Sequence, residues 1–347
     1  MTKDDKARGA GEGATATAQR PTPDRVMQIV TGGWAAAILG AAARHGIFAA
    51  LEEKADSVES VAKRTGISQR GAQALLDGLT GLGLLTLSGG KYQNSAEASA
   101  FLVKGKPSYL GAFAEVNVDE LGTWQKLPES VKTGKPSTPN TAEVADNPFW
   151  HQLVPAIATL SHPVAQLAAE RLRLAGAGEV SWLDVGGGSG IFSAVWLGQN
   201  PLARGFQLDW PNVNKIARDF VAKFGVGERF QTIDGNLHTT DFGSAKYNFA
   251  IFSHIAHQET PESNRAILHK FRQALKPGGT LVINDFILSD ERTGHPFAMM
   301  FAAQMLLATT AGTTYRQADY RSWLGEAGFP SVEFVETGTP STLVFAR

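Results

Sequence analysis

The run Leu183-Asp184-Val185-Gly186-Gly187-Gly188-Ser189-Gly190 constrains this chain more than any other segment, because it reads as a buried strand that ends in a glycine cluster and then opens a helix. Glycines let the backbone turn with positive φ and approach a ligand closely, while the first N–H groups of the following helix stay unpaired. Such a junction suits a carboxylate, a ribose or a phosphate, although it can also be a purely structural turn. Asp209 closes the next apolar run, Phe206-Gln207-Leu208. An acidic residue in that place can hold a ribose edge in a βαβ nucleotide fold, so the pair favours a ligand site. The glycines do not follow the dinucleotide spacing G-x-G-x-x-G, and no Gly-Lys-Ser/Thr closes a P-loop.

A chain of 347 residues exceeds one compact domain and can bury two cores. Its formal net charge of -1 gives no global argument for nucleic acid or a membrane surface. The lack of cysteine excludes disulfides, thiolate metal sites and cysteine nucleophiles, in agreement with a cytoplasmic protein. No early segment resembles a signal peptide. The stretch from Ile29 to Leu51 contains Arg44, His45 and many alanines, which fits a packed helix better than a membrane span.

The pattern divides into a flexible arm (1–20), an N-terminal helical domain (21–105), a helical linker and pocket region (106–175) and a catalytic domain (176–347). Between Ser57 and Tyr92 a helix, a turn at Gly66-Ile67-Ser68, a second helix and two short strands around Ser88-Gly89-Gly90 form a winged-helix pattern. Its recognition helix, Gln69 to Leu82, has Arg70 as its one basic residue. Phosphate neutralisation needs several, so a dimer-forming module is favoured over a DNA reader. Phe149 and Trp150 could cover a substrate cavity or pack the linker onto the second domain; the same choice holds for Phe297, Met299, Met300, Met305 and Leu306.

After residue 176, strands at Val180–Val185, Ala203–Leu208, Phe230–Ile233, Tyr247–Ile251, Gly279–Asn284 and Thr342–Ala346 alternate with helices at Gly190–Leu197, Val213–Phe224, Pro261–Leu275 and Gln317–Ala327. The alternation predicts an α/β domain with a mostly parallel sheet covered on both faces, and ligands at the carboxyl ends of its strands.

Residues 25 to 347 resemble the class I S-adenosylmethionine-dependent methyltransferases, specifically the bacterial relatives of plant small-molecule O-methyltransferases. The marks are Thr31-Gly32-Gly33-Trp34, the winged-helix region, Asp184 to Gly190, Leu208-Asp209-Trp210-Pro211, Leu275-Lys276-Pro277-Gly278-Gly279 and Ala327-Gly328-Phe329. The resemblance implies a Rossmann-like seven-stranded sheet, a homodimer through the N-terminal region and S-adenosylmethionine as methyl donor, with S-adenosylhomocysteine as product. It implies a small-molecule acceptor, with neither nucleic acid nor membrane as partner. Cofactor contacts are expected from Asp184, Gly186, Gly188, Asp209, Trp210, Asp234, Gly235, Asn236 and Ser253. Asp209 would receive the ribose hydroxyls. The family's Gly-Asp pair is Gly235-Asn236 here, so Asn236 ranks first for adenine, with Asp234 as a neighbour and an Asx turn as the bland reading. Phe149, Trp150, Met300 and Gln304 are the expected substrate contacts.

On the same match His257 is the general base, since an imidazole can take a phenolic or enolic proton at neutral pH. Asp285 would orient it, in place of the glutamate usual in plant relatives. A second departure is sharper: Thr314 stands where the family has another acidic orienter. If the strand stays extended, His254 points away from His257, and His269 belongs to a helix surface. The helical His-Glu-x-x-His spacing is absent and no metal is expected. The loss of an acidic orienter keeps divergent chemistry open, such as hydroxylation, decarboxylation or C-methylation. A winged-helix regulator is the third reading.

Overall fold

The computed structural model describes residues 21–137, 147 and 149–347. The expected arm (1–20) lies outside the described residues, as does the side chain of Phe149.

The N-terminal part packs helices Asp24–Val30, Gly32–Arg44, Ile47–Ala50, Val58–Thr65 and Gln69–Gly81 against a hairpin of β1 (Leu85–Ser88) and β2 (Lys91–Asn94). Ser57 and Ser68 cap two of these helices by accepting N–H bonds from Ser60 and Gly71, the role for which a short hydroxyl side chain is suited. Gly89 and Gly90 both have positive φ, as a two-residue hairpin turn with right-handed strand twist requires. Ile47, Phe48, Leu51, Val61, Leu76, Leu79, Leu85 and Tyr92 form the core of this unit. The first two helices leave Val26, Ile29, Val30 and Trp34 in solvent, with Ile29 66% and Trp34 71% exposed. No single described helix is long and apolar enough to cross a membrane.

The second part is one sheet of seven strands: β3 (Ser181–Val185), β4 (Arg204–Asp209), β5 (Phe230–Asp234), β6 (Tyr247–Ser253), β7 (Leu275–Asp285), β8 (Val332–Glu336) and β9 (Thr342–Ala346). Their order is β5-β4-β3-β6-β7-β9-β8. Strands β3 to β7 are parallel, whereas β9 runs antiparallel to both β7 and β8. Side chains alternate between the faces, as the pleat dictates. Trp182 and Val282 join the core under helices Phe149–Arg171, Ile191–Gln199 and Pro211–Ala222. Leu183, Val185, Leu281 and Ile283 join the core under Pro261–Ala274 and Gln317–Glu326.

The strand order reverses between β3 and its neighbours β4 and β6, which opens a crevice at their carboxyl ends. The glycine loop lies there. A Cβ on Gly186 would sit 2.6 Å from Ile255 Cδ1, and one on Gly187 2.5 Å from Gln207 Oε1, so close approach as well as turning demands glycine.

Candidate active site

A cavity of about 420 Å³ opens beside the loop, lined among others by Gly186, Asp209, Trp210, Gly235, Asn236 and Leu237. Asp209 ends β4, and its carboxylate accepts N–H bonds from Gly188 (2.9 Å) and Trp210 (2.8 Å). Burial pushes this carboxyl up to about 6, against the downward pull of those two bonds. An ionised carboxylate offers about four acceptor positions, so two remain for hydroxyls. The far wall is Gln258, Glu259, Thr260, Ser263, Thr310 and Ala311, from the turn after β6 and the loop before the last helix.

Several other expected cofactor residues lie near this cavity without lining it. Asp184 is buried beneath the loop with both carboxyl oxygens unpartnered. Burial, and then the charge of Asp209, hold it well above the usual carboxylate range. Gly188 meets Asp209 from behind through its N–H. Asp234 accepts from the Asn214 amide at 2.8 Å. Asn236 does line the cavity, but its Oδ1 accepts the N–H of His238 at 2.7 Å, closing an Asx turn. Ser253 Oγ accepts from Asn284 at 3.0 Å, on the β7 side.

His257 sits in a short 3₁₀ turn, Ala256–Gln258, directly after β6. The turn is held from three sides: Asn264 donates to the Ala256 carbonyl at 3.0 Å, Thr313 N–H to the His257 carbonyl at 2.8 Å, and His257 N–H to Asp285 Oδ2 at 3.0 Å. Asp285, the last residue of β7, is fully buried, and its Oδ1 lies 2.6 Å from His257 Nδ1. The same carboxylate accepts Phe286 N–H at 2.8 Å and the Tyr320 hydroxyl at 3.1 Å. Burial alone would raise the Asp285 carboxyl, yet the two histidines beside it outweigh that effect and hold it well below the ordinary range. An ionised carboxylate at Nδ1 fixes the Nδ1–H tautomer, which leaves the Nε2 lone pair of His257 as the basic atom. Nε2 carries no hydrogen bond among the described residues.

The ring of His257 is walled by Phe301 (centroids 4.9 Å, edge to face) and Phe286 (5.9 Å, stacked), with Phe297 5.0 Å from Phe286. Phe297 and Phe301 stand one turn apart on the helix Pro296–Ala308. Gln304 follows one turn further and is half-buried, while Met300 is 64% exposed. Met305 is in the core. Trp150 is half-buried near the start of the helix Phe149–Arg171, and Phe149 cannot be placed because its side chain is outside the described ones.

Besides the ring walls Phe286 and Phe301, two features were not anticipated. Tyr320 is the first; its role depends on how the helix Gln317–Glu326 docks, and no local spacing announces it. The second corrects an expectation. His254 does not diverge from His257, because the strand ends at Ser253 and His254 turns into the left-handed region (φ 55°). The two rings are 6.1 Å apart, and His254 Nδ1 lies 3.8 Å from Asp285 Oδ1. Thr314, in place of a second acid, is buried with its hydroxyl unpartnered.

Comparison with known proteins places this geometry. Residues 138–330 match the model of an O-methyltransferase domain, and residues 27–104 match that of an O-methyltransferase dimerisation domain. The chain is 31% identical over 340 residues to the 3-hydroxy-5-methyl-1-naphthoate 3-O-methyltransferase of Streptomyces sahachiroi, covering 95% of this chain and 96% of that protein. The crystal structure of a candidate O-methyltransferase of Nostoc punctiforme superposes with a TM-score of 0.86 at 25% identity, covering 94% of this chain and 99% of that one. Human N-acetylserotonin methyltransferase, solved in complex with S-adenosylmethionine, shares the fold at a TM-score of 0.81 and 21% identity, over 96% of this chain and 99% of that one.

Proposed function

Because the chain belongs to the O-methyltransferase family, we propose that it transfers a methyl group from S-adenosylmethionine to a hydroxyl of a small aromatic or polyketide-like metabolite, with His257 as general base. The observation that carries this reading is the His257–Asp285 pair. Its 2.6 Å contact leaves one basic nitrogen free in an aromatic-walled niche.

The cavity beside the glycine loop fits the donor. Asp209 offers acceptor positions for the ribose hydroxyls, Gly186 lets the chain pass close to the methionine portion, and Asn236 and Leu237 lie where an adenine would be bounded. When bound, the donor supplies an electrophilic sulfonium methyl. The chain's own residues position the acceptor and remove its proton. Phe286, Phe297 and Phe301 offer flat apolar faces for an aromatic acceptor, and exclude water around His257. His257 Nε2 takes the hydroxyl proton as the oxygen's electron pair forms the new bond to the methyl carbon, whose bond to the donor sulfur would break with its electron pair leaving on S-adenosylhomocysteine. Asp285 then faces an imidazolium at Nδ1 and stabilises it. Tyr320 and Phe286 N–H keep the carboxylate in place for that task.

The homodimer is part of the same proposal. The dimerisation match over residues 27–104 and the exposed apolar row Val26, Ile29, Val30 and Trp34 support a second copy packed on the first two helices. A panel of phenols and enols incubated with S-adenosylmethionine tests the activity. S-Adenosylhomocysteine formed in proportion to methylated acceptor is the expected result; turnover of an acceptor without it would mark divergent chemistry on the same fold.

A further inference from the structure

We propose that His254, Asp285 and His257 form one proton-holding unit, in which a single carboxylate serves two imidazoles and His254 acts as a positioning residue for the base. This rests on the reading of His257 as the base.

The backbone gives the first argument. His254 is a non-glycine residue at φ 55°, a conformation unfavourable for most side chains. It is held by its N–H bond to the Asn284 carbonyl (2.8 Å), which follows directly on the β6–β7 pairing of Ser253 with Asn284. The turn brings the ring back over β7, 4.6 Å from the ring of Phe286.

Hydrogen-bond accounting gives the second. The Asn284 amide nitrogen lies 3.0 Å from Ser253 Oγ and 3.1 Å from His254 Nε2. With both amide hydrogens so used, Nε2 is an acceptor and the neutral ring carries its proton on Nδ1. That Nδ1 is buried without a partner, 3.8 Å from the Oδ1 that also meets His257 Nδ1 at 2.6 Å. A sub-ångström approach completes the bond. The Oδ1 of Asn284 is also buried and unpartnered. The observed arrangement therefore fits a neutral His254 with its proton on Nδ1.

Charge gives the third. Asp285 from β7 and His257 from the 3₁₀ turn face His254, and Tyr320 reaches Asp285 from the last helix. Asp285 contributes one negative charge and can balance one imidazolium. A second cation with its ring centre 6.1 Å from the first is repelled. The two imidazoles therefore compete for one balancing charge. Neutral His254 presents its Nδ1–H to Asp285 from 3.8 Å; charged His254 draws on the carboxylate that the base needs when it takes the acceptor's proton.

The test is a side-chain NMR titration of the full-length protein carrying ¹⁵N-labelled histidine, which needs no acceptor. His254→Asn is compared with His254→Gln, because Asn tolerates positive φ best and Gln keeps the reach. His257→Ala assigns the partner signals. In the wild type the His257 curve is expected to be broader than a one-proton curve. In whichever His254 variants keep the native spectrum it should narrow to a single ionisation. A one-proton His257 curve in the wild type, with its midpoint unmoved in a folded variant, would overturn the proposal. The base assignment is read separately, from methyl transfer by His257→Ala, so either claim can fail alone.

Discussion

Asp285→Asn removes the charge behind the base while keeping its shape. In the wild type the carboxylate meets His257 Nδ1 at 2.6 Å and accepts three further bonds, from His257 N–H, Phe286 N–H and Tyr320. A unit charge about 4 Å from a developing imidazolium, at an effective permittivity of about 20, contributes about 4 kcal/mol. If proton transfer is about half complete in the transition state, about 2 kcal/mol is lost. These limits bracket a fall in kcat of roughly 30- to 700-fold, at about 1.4 kcal/mol per decade. The pH profile carries a sign as well. The His257 imidazole helps to hold the Asp285 carboxyl below its ordinary range and the coupling is mutual, so removing the carboxylate should move the acid limb of kcat to lower pH. S-Adenosylhomocysteine release at saturating donor, followed from about pH 5 to 9, reads both effects. Donor affinity should hold, since Asp285 does not line the cavity. Wild-type kcat with an unmoved acid limb would refute the reasoning.

Asp209→Ala should weaken S-adenosylmethionine binding, measured by calorimetry, because it removes the acceptor for the ribose hydroxyls. In the wild type the same titration should show affinity falling as pH drops below about 6, where the Asp209 carboxyl takes up a proton, and levelling above it; a flat profile between about pH 5 and 8 would count against that role. Ile29→Asp combined with Trp34→Asp, on the exposed first helices, should shift the protein from dimer to monomer in light scattering; an unchanged mass would place the interface elsewhere.

Much of this was legible because the signals are local. The glycine loop is forced by positive φ and close contacts within a few residues, and Asp209 follows from the end of the next strand. The pairing of His257 with Asp285 follows from the ends of two neighbouring parallel strands, once their order is known. What escaped depends on packing. The strand Val332–Glu336 lies at the sheet edge, half-buried, and alternates too briefly to stand out. The left-handed turn at His254 has no glycine to mark it, so an extended reading sent the ring the wrong way. Tyr320 reaches Asp285 only through the docking of a distant helix, and Phe301 was passed over although it stands one turn from Phe297. That Asp184 is buried under the loop with both oxygens unpartnered likewise emerges only from the packing of the sheet.

The central claim is that His257 removes the acceptor proton. Methyl transfer from isotopically labelled S-adenosylmethionine, compared at neutral pH between wild type and His257→Ala at equal donor occupancy, tests it most directly. The account predicts transfer roughly 10²- to 10⁴-fold slower in the variant, the usual scale for a lost general base, with donor affinity nearly unchanged. Wild-type turnover by His257→Ala on the same acceptor would contradict it, and would point to an acceptor that is already ionised and is activated by alignment alone.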